Sequence, residues 1–267
     1  MDLTPGSATT LRRVWPILRE ETHEMAEKEP FLAPMLNSIL LSSPSLSHAL
    51  AQRLSLALAS AEVSKGACQS LLSEVLDRNP SIVKAAAQDL IAVRTKDPAC
   101  RTHIHAFLHY KAFHAVQTHR IANALWTAGR QELAAWLSNR VSVALGPDIH
   151  PAASLGAGII LDHGSGIVIG ETAVVEDDVT LLQNVTLGGT GKVVGDRHPK
   201  VRKGAMIGAG ASIIGNVEIG AFSKVGAGSV VLKDVPPACT VAGVPAQIVR
   251  LHRTADYRGN DPEPIFC

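Results

Sequence analysis

IHPAAS-LGAGII-LDHGSG-IVIGET-AVVEDD-VTLLQN-VTLGGT, residues 149–190, decides how this chain folds. Set out in sixes, its groups open on Ile149, Leu155, Leu161, Ile167, Ala173, Val179 and Val185. After ten extra residues the beat resumes at Val201, Ile207, Ile213, Ile219, Val225 and Val231. Only Ala173 among these thirteen openers is not Ile, Leu or Val. Seven of the fourth positions are glycine (Gly158, Gly164, Gly170, Gly188, Gly204, Gly210, Gly228), which suits tight corners. A beat held this long is the signature of a repeat architecture. Each hexad supplies a short strand and a corner, its first residue pointing inward. A rung buries its apolar edge only on its neighbours, so stability comes from stacking. Three hexads make one triangular coil, and thirteen give just over four coils, a parallel β-prism roughly 20 Å tall at one strand spacing per coil. An ordinary α/β domain with glycine-rich turns would not keep the phase.

The rest of the 267 residues is an appendage to that prism. Lys plus Arg (25) balance Asp plus Glu (24), which argues against a nucleic-acid binder working through bulk charge. Aromatics are only 4%, in keeping with a narrow aliphatic interior. There is no run of eighteen apolar residues to cross a membrane, and Met1–Gly6 has neither the basic nor the apolar region of a signal peptide. Cys68, Cys100, Cys239 and Cys267 are scattered, with neither metal-like nor disulfide-like spacing. The expected compartment is the cytoplasm.

Residues 1–145 read as an all-helical domain, 146–248 as the prism with an inserted loop at 191–200, and 249–267 as a flexible tail; the fold class is α+β. Helices are expected over Thr10–Lys28 with a kink at Pro16, Phe31–Leu41, from Pro44 through Leu58, and Ala67–Val75. Asn79-Pro80 starts another, with Asn79 as its cap. Asp97-Pro98 breaks it, and Arg101–Ala128 is the longest candidate, closed by Gly129. Gln131–Leu145 is the last, and Gly146-Pro147 is the hinge into the prism.

Chemistry concentrates in few places. His105 and His109 are spaced to share one helix face, but no carboxylate or cysteine stands at matching spacing, so a surface or core role is the plainer reading and no metal is expected. Gly188-Gly189-Thr190-Gly191-Lys192 suggests a phosphate loop, yet Val193 follows where Ser or Thr is needed, and no helix follows the turn. The ten-residue insertion carries Asp196-Arg197-His198-Pro199, and a loop that interrupts a regular scaffold is where function tends to lie. His163 interrupts a hexad position held elsewhere mostly by apolar or small residues, and its pKa range suits a general base. Asp148 and Asp162 are nearby acids. Ideal coil arithmetic puts Leu145, not Asp148, below His163, so spacing does not show their pairing.

Taken together, Asp148-Ile149-His150-Pro151-Ala152, Leu161-Asp162-His163, Gly170-Glu171-Thr172-Ala173-Val174, Val185 through Lys192, Gly195 through Lys200 and Ala242 through Ala246 resemble bacterial serine O-acetyltransferases. The likeness reaches back through Tyr110–Ala115 and Gln117–Ile121 to Asp97-Pro98-Ala99, and covers about residues 10 to 248. The hexads alone point only to hexapeptide acyltransferases. The Asp-Arg-His-Pro-Lys loop joined to a long helical domain is more specific.

The resemblance implies a left-handed β-helix, against the usual crossover hand, in homotrimers with active sites between prisms, paired into hexamers. It implies acetyl transfer from acetyl-CoA, the co-substrate, to the hydroxyl of L-serine, the committed step toward cysteine. His163 is then the base and Asp148 its support, with direct attack and no permanently bound cofactor. Arg197 and His198 meet the serine carboxylate; Asp97 and Asp162 meet its ammonium. CoA lies against Gly189, Thr190, Met206, Ala209 and Ala227, with Lys224 near its phosphates. L-Cysteine is expected to inhibit from the serine pocket. Many members end in an isoleucine that enters O-acetylserine sulfhydrylase; this chain ends in Cys267, which puts that partnership in doubt. The competing readings are transfer to another acceptor, a γ-type carbonic anhydrase using His150, His163 and His198 for zinc, and a non-catalytic scaffold.

Overall fold

A computed structural model of the chain describes residues 9–252, with side chains from Arg13 onward. The first half is helical: α1 (Thr9–Lys28), a 3-10 turn (Pro30–Leu32), α2 (Ala33–Leu36), a π turn (Asn37–Leu41), α3 (Leu46–Leu58), α4 (Lys65–Arg78), α5 (Pro80–Lys96), α6 (His103–His109), α7 (Lys111–Thr127) and α8 (Gln131–Leu145). Ser45, Ser64 and Thr102 start α3, α4 and α6, each side-chain oxygen accepting the N–H three residues on. Leu18, Leu50, Leu54, Leu90 and Phe107 are fully buried in the core they form.

Three helical expectations change. Phe31–Leu41 is not one helix but the 3-10, α and π pieces in succession. Asn79 does precede α5, yet its Nδ2 donates to the Val75 carbonyl (2.8 Å) and so closes α4 instead of capping α5. The long helix over Arg101–Ala128 is two, because Tyr110 leaves helical geometry (φ −81°, ψ 98°). Its phenol donates to Asp97 Oδ2 at 2.7 Å, a tertiary contact that local propensity does not encode.

The second half winds as coils. The first carries β1 (Asp148–Ile149), β2 (Ser154–Leu155) and β3 (Ile160–Leu161); the second, β4 (Val168–Ile169), β5 (Val174–Val175) and β6 (Thr180–Leu181). The third carries β7 (Thr186–Gly188), β8 (Lys200–Val201) and β9 (Met206–Ile207); the fourth, β10 (Ser212–Ile214), β11 (Glu218–Ile219) and β12 (Lys224–Val225). β13 (Val230–Val231), β14 (Cys239–Gly243) and β15 (Ala246–Leu251) close the end. Every third strand stacks in parallel, which makes three sheets. The first is β1-β4-β7-β10-β13, the second β2-β5-β8-β11, and the third β3-β6-β9-β12-β14 with β15 added antiparallel. That last strand runs to Leu251, past the expected end of the prism at 248.

The register corrects the expected beat. Ile149 pairs with Ile169 and Leu155 with Val175, so the first coil holds two residues more than three hexads. Val175 pairs with Val201, so the coil with the inserted loop holds eight more. The ten extra residues are thus split between two corners. The inward openers after Leu161 are Ile169, Val175, Leu181 and Leu187, not Ile167, Ala173, Val179 and Val185. The slip is invisible in the sequence because a hexad has two inward positions. Ile167, Ala173, Val179 and Val185 fill the second and are at most 1% exposed.

Helices and prism are joined by a buried polar cluster. Arg120 binds both carboxylate oxygens of Asp89, and Gln117 Nε2 donates to Asp89 Oδ2 at 2.7 Å. The same guanidinium donates to the Gly156 carbonyl (2.6 Å), and Asp89 Oδ1 accepts the Ile159 N–H (2.9 Å). His119 Nε2 adds a bond to the Ala153 carbonyl at 3.1 Å. The Asp89 and Arg120 charges are each paired and hydrogen-bonded, as buried charge requires, and α5 and α7 are fixed against the first coil.

Candidate active site

The two extra residues of the first coil lie where the third sheet turns into the first, and that widened corner carries Asp162-His163-Gly164. His163 and Gly164 both take left-handed backbone (φ 57° and 75°), and the His163 side chain is 75% exposed, projected off the rung. Its Nε2 is 3.8 Å from Asp162 Oδ1. Gly164 is needed there: a Cβ on it would stand 2.7 Å from the Ala112 methyl and 3.3 Å from Pro147 Cγ. The His163 turn therefore packs on the start of α7 and on Pro147, next to Asp148. Lys111 Nζ donates to Ser165 Oγ at 2.6 Å across the same contact. No hydrogen bond or ion pair joins His163 to Asp148 among the described residues. Asp97, at the end of α5, is held by the phenol of Tyr110, the residue before α7. Burial and this carboxylate push the Tyr110 phenol above its ordinary pKa.

From this turn a ladder climbs the corner. Asn184 N–H donates to the Ser165 carbonyl, Gly210 N–H to Gln183, and Gly228 N–H to Ala209, each at 2.8–2.9 Å. Ala209 and Ala227 lie on that ladder, and Met206 is in register with Lys224 on the sheet leading into it. Three coil steps separate His163 from Ala227, about 14 Å of rise. Six of the expected site residues, with Asp148 beginning the next sheet, thus share one corner.

Arg197, His198, Gly189 and Thr190 belong to another, where the first sheet turns into the second and the inserted loop leaves the prism. Thr172 ties the loop down: its Oγ1 accepts the N–H groups of Arg197 (3.0 Å) and His198 (3.1 Å). His198 Nδ1 receives the Thr172 hydroxyl (2.9 Å) and N–H (3.2 Å), so the neutral ring carries its proton on Nε2. Burial, then the Arg197 charge, hold the His198 pKa below its ordinary value. Lys200 Nζ bridges Thr172 O (2.8 Å) and Asp196, which locks the far end of the loop. Arg197 Nη2 donates to Glu171 Oε2 at 2.5 Å, and Nη1 to Gly195 O at 3.0 Å. Glu171, Thr172, Val193, Val194 and Arg197 line an open cleft of about 470 Å³. His150, stacked edge-on to Trp126 (5.1 Å), faces the same charges.

The sequence reading passed over Tyr110, Lys111, Glu171 and Thr172 as site residues. Their signal was present, since all four fall inside the quoted motifs, but nothing in spacing says which neighbour a corner side chain meets. His105 and His109 pack edge to face on each other at 5.4 Å. Among the described residues no three His, Cys, Asp or Glu side chains are grouped to hold a metal, and no helix is long and apolar enough to cross a membrane. Cys267 and the tail beyond His252 lie outside the described residues.

Residues 14–118 match the family described as "Serine acetyltransferase, N-terminal", and residues 198–233 the "Bacterial transferase hexapeptide (six repeats)". The chain is 51% identical to a serine acetyltransferase of Salmonella typhimurium over 90% of its own length and 88% of the relative's. The chain belongs to the serine acetyltransferase family. Solved structures agree with the whole architecture, including its left-handed coil. Soybean serine acetyltransferase complexed with serine has a TM-score of 0.87 at 46% identity, covering 92% of this chain and 100% of that one. A serine acetyltransferase complexed with cysteine gives 0.87 at 50% identity over 88% and 98%. The Brucella abortus enzyme in complex with coenzyme A gives 0.89 at 44% over 93% and 99%.

Proposed function

We propose that this chain transfers the acetyl group of acetyl-CoA to the hydroxyl of L-serine, giving O-acetyl-L-serine and CoA, with His163 as general base. The observation that carries the reading is the widened first-coil corner. It projects an exposed imidazole at the foot of a ladder of small residues, open enough for an extended thioester arm. A serine hydroxyl is a poor nucleophile at neutral pH and needs a base at hydrogen-bond range. His163 takes that proton, and the oxygen attacks the thioester carbonyl directly. The tetrahedral oxyanion is met by backbone N–H donors of the glycine-rich corners. Its collapse breaks the C–S bond and expels CoA thiolate, which the imidazolium reprotonates. Asp148, beside Pro147 under the His163 turn, stabilises that imidazolium. No cysteine is assigned a role: Cys68, Cys100 and Cys239 are buried thiols.

The substrate is a zwitterion, and the seats for its two ends are on different corners. Asp97 and Asp162 suit the ammonium, and Asp162 lies with His163. Arg197 and His198 suit the carboxylate and lie one sheet-width away, up to about 20 Å for a six-residue side. A second copy whose loop corner abuts this His163 corner completes one site, so assembly into a trimer, or a hexamer of two, is part of the reading. The helical domain, 1–145, then contributes Asp97 as well as contacts between copies. Gly189 and Thr190 line the CoA path from the second copy, and Met206, Ala209, Lys224 and Ala227 from the first. L-Cysteine, which differs from serine by sulfur for oxygen, fits the same seats and inhibits by competition.

The test is thiol release from acetyl-CoA with L-serine, beside His163→Ala and Asp148→Asn. Serine-dependent release lost by at least a thousandfold in His163→Ala supports the reading. Release that survives moves the base elsewhere. No release with serine, but release with another hydroxyl acceptor, favours a different acyl transfer.

A further inference from the structure

We propose that Glu171 is an internal stand-in for the substrate carboxylate, holding the Arg197 fork in the empty site and yielding it when serine binds. The proposal rests on the carboxylate seat assigned to Arg197 above. Arg197 Nη2 lies 2.5 Å from Glu171 Oε2, and both side chains line the open cleft. The pair is not what holds the loop. Thr172 Oγ1 already fixes the backbone at Arg197 and His198, and Lys200 locks the far end. What the pair does is aim a guanidinium and occupy it. Glu171 is on the rigid corner between β4 and β5, so its carboxylate stays near the seat while the longer arginine side chain can swing.

Its exposure makes the exchange feasible. Side-chain accessibility is 27% for Arg197 and 38% for Glu171, and an ion pair this open to water is weak enough for a second carboxylate to displace. A buried pair of the Asp89–Arg120 kind would not exchange. An acceptor with a carboxylate regains what Glu171 gives up; an alcohol without one leaves the latch shut. The residue therefore sets a small cost on every acceptor that needs the arginine, and keeps Arg197 from binding stray anions.

The test compares Glu171→Gln, nearly isosteric and neutral, with the unaltered full-length enzyme. The expected result is a KM for L-serine lower by about two- to fivefold, the range an exposed pair supplies, a change that outweighs any in kcat. Calorimetric titration of serine without acetyl-CoA should show the same gain in affinity. Glu171→Asp, which retracts the carboxylate by one methylene, should move KM in the same direction. Turnover of ethanolamine, which lacks the carboxylate, should respond far less. A serine KM that is unchanged or raised in Glu171→Gln, with its melting temperature retained, overturns the proposal while leaving the acetyltransferase reading intact. An equal gain for ethanolamine also overturns it. Absence of serine-dependent thiol release in the unaltered enzyme overturns both. Should Glu171→Gln melt much lower, Glu171→Asp and the calorimetric affinity decide alone.

Discussion

Gly170 and His198 touch so closely that a Cβ on the glycine would stand 2.0 Å from the imidazole Cδ2 and 2.1 Å from Nε2. His198 can lie flat on the corner of the prism only because residue 170 has no side chain. The backbone there is not left-handed, so any penalty for a larger residue is collision alone. Gly170→Ala should push the ring out and carry Arg197 with it. The expected outcome is a fall in kcat/KM of at least tenfold for serine, with a melting temperature changed by only a few degrees. Steady-state kinetics and a thermal melt on the same preparation check it.

Thr172 holds the inserted loop through one hydroxyl. Thr172→Val keeps the volume and removes the acceptor of two backbone N–H groups and the donor to His198 Nδ1. Net losses of about 1 kcal/mol per bond would let the loop drift and free the His198 tautomer. We expect the serine KM to rise about tenfold, with Thr172→Ser restoring most of it. Equal KM values in the two variants would rule the hydroxyl out.

The Asp89–Arg120 pair fixes the helices to the first coil from positions 1% and 8% exposed. Removing one partner leaves a buried charge without compensation, at a cost of about 3–5 kcal/mol. Asp89→Ala should therefore lower the melting temperature by about 10 °C or more. Arg202→Ala, whose guanidinium is more than a third exposed on the prism surface, should barely move it.

His114 and His119 are buried neutral. Each donates Nε2–H to a carbonyl, Phe107 at 2.7 Å and Ala153 at 3.1 Å, and neither Nδ1 has a partner. Burial drives both pKa values down to about 3. The unfolded chain binds protons on both near pH 6.5, and the folded chain does not until about pH 3. Stability is therefore full above about pH 6.5 and falls as pH drops toward 3. The slope for two such groups approaches about 2.7 kcal/mol per pH unit. Melting temperatures at pH 7.5, 6.0 and 5.0 should decline accordingly, and less steeply in His119→Gln.

The sequence by itself determined the solenoid and its helical appendage. Repetition made this possible: thirteen aliphatic openers report one inward face whatever lies beyond them. Sequence also singled out the inserted loop, because an interruption shows against a beat. It missed the two-residue widening at His163. Both inward positions of a hexad take aliphatic side chains, so a shift of two leaves the pattern unchanged. It read one helix across Tyr110, where a phenol reaching Asp97 breaks it. Only the tertiary structure decided that His163 and Arg197 stand on different corners, that Glu171 holds the arginine, and that Thr172 fixes the loop. The contacts among these join residues 13 to 26 positions apart, set by how coils stack and helices dock. The spacing of residues along one chain carries no record of which corner each will occupy.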